Sequence, residues 1–255
     1  MERRRFLGVA GAAGLGALAG CTSALGTVAP PDVPQDQLDE GGWTRTDRSE
    51  DTVFEESYGP VDVVAKSTTL TFEDEQLAAE VTEKTLGQIE GRLAIYAASH
   101  INFSPDLNNL PGNVGREEVV GEVEAAARDQ FEQRMRDNGL ENVRETGEEA
   151  FQTDSGKSPG VTTYEATFPV GDIEYDAGGE TMSIDVGDIA VAGDLAVWNE
   201  GDYVVVAGGA YPAENYATTE TEELSEAITV TVDVDLGLTP DEYRSEVRGL
   251  MAATR

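Results

Sequence analysis

The sequence predicts an α+β fold, a largely antiparallel sheet packed with two or three helices in a single domain. Three observations carry this. Beyond residue 140, apolar residues recur at every second position, the period of a half-buried strand. Residues 74–89 and 116–138 instead carry apolar residues every third or fourth position, the period of a helix packed on one face. Strand patterns also come in consecutive runs, with helices inserted and one at the end, which favours an antiparallel sheet over strict βαβ alternation.

The elements follow in chain order. Residues 22–40 (TSALGTVAPPDVPQDQLDE) contain Pro30, Pro31 and Pro34, which disfavour helix and sheet, so residues 21–40 are expected to be a tether and 41–255 the folded body. Trp43 to Asp47 and Val53 to Tyr58 are short strand candidates, and Val61 to Phe72 a longer one beyond Pro60. Leu77, Val81, Thr85 and Ile89, spaced by four, predict a helix over 74–89. Arg92 to Phe103 reads as a strand before the turn-rich SPDLNNLPGN, although a helix continued through it has the same apolar content. Over 116–138, Val119, Val123, Ala126, Phe131 and Met135 form a stripe. Glu117 and Glu118 sit in the first turn, and Arg134 and Arg136 near the end, as the helix dipole prefers. Asn138-Gly139 stops that helix.

Period-two runs follow: Tyr164, Ala166, Phe168 and Val170, then Met182, Ile184 and Val186. Leu195 to Trp198 and Tyr203 to Ala207 flank Asn199-Glu200-Gly201-Asp202, a hairpin signal. In that hairpin Leu195 and Val197 are expected to face the core, leaving Trp198 on the outer face or at the edge. Gly208-Gly209 reads as a bulge or turn. Ile228, Val230, Val232, Val234 and Leu236 alternate with Thr and Asp. The closing helix is expected to start at Thr239 as N-cap, with Pro240 at N1, a capping box completed by Glu242, and Tyr243, Val247 and Leu250 on its apolar face.

The first residues read as an export signal. Arg3, Arg4 and Arg5 precede the apolar stretch Leu7 to Ala19, which ends in small residues. A helix over that stretch reaches about 20 Å, short of the roughly 30 Å bilayer core. Arg3-Arg4-Arg5-Phe6-Leu7 resembles the twin-arginine signature, carried by Arg3, Arg4, Phe6 and Leu7. Leu18-Ala19-Gly20-Cys21 resembles a lipobox, which implies removal of residues 1–20 and lipidation of Cys21. Cys21 is the sole cysteine, so no intramolecular disulfide can form. Two lipid chains, as that resemblance implies, suit stable anchoring better than one. The expected location is the outer face of the cell membrane.

The formal net charge is −33; removing residues 1–20 takes away three arginines and one glutamate and leaves −35. Three lysines, Lys66, Lys84 and Lys157, stand against fifty carboxylates spread along the chain. Such self-repulsion destabilises a compact state in dilute buffer and fades in multimolar salt, where the Debye length is about 3 Å or less. This acid-rich, lysine-poor composition resembles a halophilic archaeal proteome. It argues against nucleic acid as a partner, since phosphate neutralisation needs clustered Lys and Arg. With Gly42-Trp43 and the strand-rich stretch Tyr164 to Tyr211, the precursor resembles haloarchaeal lipoproteins of an uncharacterised family, and Phe151 to Tyr211 resembles the antiparallel sheet of PsbP-like domains. Neither resemblance implies catalytic residues or a cofactor.

No motif designates a catalytic centre. His100 is the only histidine, so neither a His-rich zinc site nor a triad independent of His100 can be assembled; it is expected to be a strand histidine. There is no phosphate loop and no Gly-x-Ser-x-Gly elbow. Adjacent carboxylates such as Asp233 with Asp235, Asp185 with Asp188 and Glu148 with Glu149 carry little information in so acidic a chain. Asn102-Phe103-Ser104 is a glycosylation sequon disfavoured by the following Pro105. No metal and no cofactor is expected. The expected function is therefore a lipid-anchored envelope domain with a non-enzymatic binding or structural role, its partner an unknown protein or small molecule. The alternative is a carboxylate-dependent extracellular hydrolase with Trp198 or Tyr203 as an aromatic platform.

Overall fold

The computed structural model describes residues 28–58, 61–85, 87, 89, 92–106, 116–177, 180–185, 187–225 and 228–255. In chain order the elements are α1 (Gln35–Glu40), β1 (Trp43–Tyr58), β2 (Val61–Asp74), α2 (Glu75–Lys84), β3 (Ile95–Ser104), α3 (Arg116–Asp137), β4 (Glu141–Ala150) and β5 (Gly160–Pro169). They continue with β6 (Asp172–Ala177), β7 (Glu180–Asp185), β8 (Asp188–Glu200), β9 (Tyr203–Pro212), β10 (Ala217–Ser225), β11 (Ile228–Asp235) and α4 (Pro240–Ala253). Seven strands form one sheet in the order β1-β2-β3-β9-β8-β5-β4. Every neighbouring pair is antiparallel, so the fold is α+β. β6–β7 and β10–β11 are separate two-stranded ribbons. The first continues the β5–β8 ladder past Gly171 and Gly187, both at positive φ.

Helices cover both faces of the sheet. On one face Leu38 of α1, Leu77 and Val81 of α2, and Val247, Leu250 and Met251 of α4 pack on Leu70, Phe72, Tyr96, Ala98, Ala196, Trp198, Val205 and Ala207. On the other, the first half of α3 packs Val119 and Val123 on Val63, Ala65, Ile101, Phe103 and Val204. The second half packs Met135 and Phe131 on Tyr164, Val191, Leu195 and Ala210. Alternation in β3 sends Tyr96, Ala98 and His100 to the α4 side and Ile101 and Phe103 to the α3 side.

This two-sided burial corrects the expectation for the β8–β9 hairpin. Leu195 does face a core, but Trp198 faces another and is 4% exposed. With a helix layer on each side, neither face of a central strand is an outer face. Gly208-Gly209 is no bulge either: both residues lie in the β9 ladder, opposite Ala97 and Tyr96. A Cβ on Gly209 would come within 2.9 Å of Val247 Cγ1, and one on Gly193 within 3.0 Å of Phe131. The two glycines let α4 and α3 approach the sheet closely.

Other expectations shift at the element ends. The two short strands expected over 43–58 are one strand, irregular between Arg45 and Asp47 and between Thr52 and Phe54. Residues 28–40 belong to the packed body: Val28 is 6% and Leu38 3% exposed, and α1 begins directly after Pro34. Pro34 takes the N-cap position, where its missing N–H costs the helix nothing. At α4, Thr239 is the N-cap and Pro240 is at N1 as read, but the Thr239 side chain makes no capping hydrogen bond. The Glu242 N–H instead donates to the Thr239 carbonyl at 3.0 Å, so the capping box is not formed. At α2 the cap is real: Asp74, 6% exposed, accepts from the Leu77 N–H at 2.8 Å. Val186 and most of the turn after Ser104 lie outside the described residues.

Candidate functional site

Seven strands at about 4.8 Å spacing are wider than one helix of about 10–12 Å can cover. On the α3 face the uncovered width forms a cleft of about 230 Å³. Its floor is Ile95 and Ala97 of β3, Gly208 and Ala210 of β9, and Val191 of β8. Small side chains at Ala97, Gly208 and Ala210 keep the floor low. One wall is Asp47 and Ser49 of β1 with Thr69 and Thr71 of β2; the other is Phe131, Arg134, Met135 and Asn138 of α3 with Leu140. Leu93 and Arg92 close one end. Phe131 is held by a tilted stack on Tyr164, centroids 5.1 Å apart, and Thr69 Oγ1 is hydrogen-bonded to Ser99 Oγ at 2.7 Å.

The lining is mainly apolar, with hydroxyls on one wall and cations at the rim. Arg92 Nε pairs with Glu73 at 3.0 Å. Arg134 has no carboxylate within ion-pair distance among the described residues, although the chain has fifty. A second, more open groove of about 620 Å³ lies between Ala78 and Thr82 of α2, the end of α3 and Phe168. Arg92 and Asn138 border both, so the two hollows meet at these side chains. A cleft of this size and lining can take a small, largely apolar group with a polar end. It brings no histidine and, among the described residues, one carboxylate, Asp47.

A buried ionic network occupies the opposite face. Asp194, 1% exposed, accepts from Arg248 Nε at 2.7 Å and Nη2 at 3.1 Å, and from the Tyr211 hydroxyl at 3.0 Å. Arg248 Nη1 reaches Glu149 at 2.8 Å, and Arg244 donates to the same carboxylate. The hydrogen bond from Arg248 holds the Glu149 carboxyl below its ordinary range. The hydrogen bond to Asp194 raises the Arg248 guanidinium further above its usual value. Burial, reinforced by the adjacent Asp194, pushes the Tyr211 hydroxyl upward. Both Asp194 oxygens are thus occupied, and the group cross-links β8, β9 and α4.

The residues singled out by sequence do not converge. Cys21, Arg3, Arg4, Phe6 and Leu7 lie outside the described residues. His100 is a buried strand histidine: its Nδ1–H donates to the Ala29 carbonyl at 3.1 Å, and its ring stacks on Tyr203 at 4.4 Å. Burial lowers its pKa below the usual histidine value. Among the described residues its Nε2 has no partner within hydrogen-bond geometry. Asn102 is half-buried in mid-strand between Lys66 and Tyr203. Of the paired carboxylates, Asp233 accepts from Thr219, Asp235 from Asn215 and the Gly237 N–H, and Glu149 from two arginines. Trp198, offered as a platform, is inside the core, and its indole N–H has no partner among the described residues. Among the described residues, no three His, Cys, Asp or Glu side chains are placed to hold a metal ion, and no helix is long and apolar enough to cross a membrane.

Sequence reading missed the cleft and the Asp194 network. The cleft is assembled from β1, β2, β3, α3, β8 and β9, and only the small residues of β9 hinted at a close approach. Asp194 at an inward position of an apolar strand was the available signal for the network, since a buried carboxylate requires a partner. No curated protein and no solved structure matches the chain. A family described as a domain of unknown function, DUF6517, matches residues 30–255. The match spans all the described elements from α1 to α4, and the chain belongs to that family.

Proposed function

We propose that this protein is an exported, lipid-anchored binding domain of the haloarchaeal type, held at Cys21 on the outer face of the membrane, whose ligand seat is the cleft between α3 and the sheet. The cleft carries the reading: an apolar floor, a hydroxyl-bearing wall and Arg134, which has no carboxylate partner among the described residues, offer recognition without an acid–base pair. A carboxylate-dependent hydrolase would need two carboxylates facing one hollow; among the described residues Asp47 is the one carboxylate lining this cleft, and Asp137 lines the adjoining groove. Export by the twin-arginine route rests on Arg3, Arg4, Phe6 and Leu7, anchoring on Leu18 to Cys21. The likeness of Phe151 to Tyr211 to PsbP-like sheets belongs to the same proposal and rests on strand pattern.

Two measurements test it. Cys21→Ser should release the protein from the membrane fraction, and mass spectrometry of the wild type should show a lipidated N-terminal Cys21; a chain starting at Met1 with a free thiol defeats the anchoring. For the cleft, the probe is anilinonaphthalene sulfonate, an aromatic anion. It should bind at one saturable site, and Ala97→Leu, which raises the floor, should weaken it at least tenfold with the thermal midpoint retained. Equal binding by Ala97→Leu would show that the cleft is not the seat.

A further inference from the structure

The segment leading from the anchor is fastened to one face of the sheet. The Thr68 hydroxyl donates to the Val28 carbonyl at 2.9 Å, and His100 Nδ1 to the Ala29 carbonyl at 3.1 Å. Asp32 and Arg255 then exchange backbone hydrogen bonds in both directions, at 2.6 and 3.0 Å. Val28 is 6% exposed. Thr68 and His100 are opposite each other in the β2–β3 ladder. Both share the parity of Leu70, Phe72, Tyr96 and Ala98, which pack toward α4. The chain therefore reaches the domain on the α4 face, whereas the cleft opens on the α3 face.

Seven residue steps separate Cys21 from Val28. Fully extended they span at most about 25 Å. A helix layer is about 10–12 Å thick, so the outer surface of α3 lies roughly 20 Å from Val28 in a straight line through the sheet. A leash must instead pass around the β1 edge, which adds about 5 Å or more and leaves no slack. We infer that the anchor holds the domain with its α1–α4 side toward the lipid surface and its α3 side, cleft included, toward the external medium. This rests on the proposed lipidation of Cys21.

The experiment uses the full lipidated chain in vesicles carrying a nitroxide-labelled lipid. Once Cys21 is modified, an added cysteine is the sole free thiol. Ser245→Cys on α4 and Gln130→Cys on α3 are exposed positions on the two sides, each to be labelled with a fluorophore. Quenching should be at least twofold stronger at position 245 than at 130. Inserting twelve Gly/Ser residues between positions 22 and 27 should erase the difference. Equal or reversed quenching in vesicle-bound wild type overturns the orientation while leaving anchoring intact. A chain that does not associate with vesicles removes the anchor itself, and the orientation with it.

Discussion

Removing Arg248 should be the most damaging single change outside the apolar core. The carboxylate of Asp194 is 1% exposed and draws two of its three hydrogen bonds from Arg248. In Arg248→Ala it keeps the Tyr211 hydroxyl alone, and an uncompensated buried charge costs about 3–5 kcal/mol. The reciprocal change is milder: in Asp194→Ala the guanidinium retains Glu149 at 2.8 Å, and its side chain is 22% exposed. That variant should lose about 2–3 kcal/mol, nearer the value of hydrogen bonds to a charged group. The double variant should cost less than the two singles added, because the second deletion removes the group stranded by the first. At about 2–4 °C per kcal/mol for a domain of this size, Arg248→Ala lowers the thermal midpoint by roughly 10 °C. Urea unfolding of the four proteins at one fixed salt concentration measures the cycle. An Arg248→Ala loss below about 1 kcal/mol, or a greater loss for Asp194→Ala, would show that solvent reaches this carboxylate and that the network is not what joins α4 to the sheet.

Three further outcomes are expected. Trp198→Ala should cost about 3–5 kcal/mol, whereas Trp198→Phe, which removes a buried N–H that has no partner among the described residues, should cost much less; equal losses in urea titrations would contradict the burial of the ring. Because burial depresses the folded-state pKa of His100, the unfolded chain binds more protons as pH falls below about 6.5. Stability should then decline with acidification down to the folded pKa, a slope that His100→Asn removes in thermal melts between pH 7.5 and 5.5. The thermal midpoint should rise steeply between low and multimolar salt as carboxylate repulsion is screened, and a midpoint indifferent to salt would mean that those charges are already paired or well separated.

Periodicity was sufficient to place the strongly patterned elements α3, β2, β3, β5, β11 and α4, whereas α2 ends at Lys84, short of Ile89, β8 begins at Asp188, well before Leu195, and β9 runs through Gly208-Gly209 to Pro212. β4 was illegible because it is an edge strand exposed everywhere except at the half-buried Val143 and Gly147, so ENVRETGEEA shows no apolar period. α1 was hidden by three prolines, although Leu38 is its single buried residue and six residues suffice for it. The facing of Trp198 was misjudged for a related reason. A strand covered on both sides has no polar face, and period two then identifies two cores without ranking them. The candidate site was the least legible part. Its chemistry lies in Thr69, Thr71, Ala97, Gly208 and Arg134, ordinary residues that acquire meaning only when the antiparallel order sets β3 beside β9 and α3 leaves half the face open.

The mutual hydrogen bonds of Asp32 and Arg255 also order events in time. Residues 28–33 leave the ribosome before any strand of the sheet, yet their fastening needs Thr68, His100 and finally Arg255. On that face α1 and α2 are made early, but the part that α4 covers, including Asp194, stays bare until α4 has been synthesised. At about 5–20 residues per second, a nascent chain spends many seconds with that surface uncovered and its first packed segment loose. Synthesis of α4 and of Arg255 is then the step that closes the domain. A variant lacking residues 240–255 would carry its leading segment without the Asp32–Arg255 hydrogen bonds and its Trp198 side without the cover of α4.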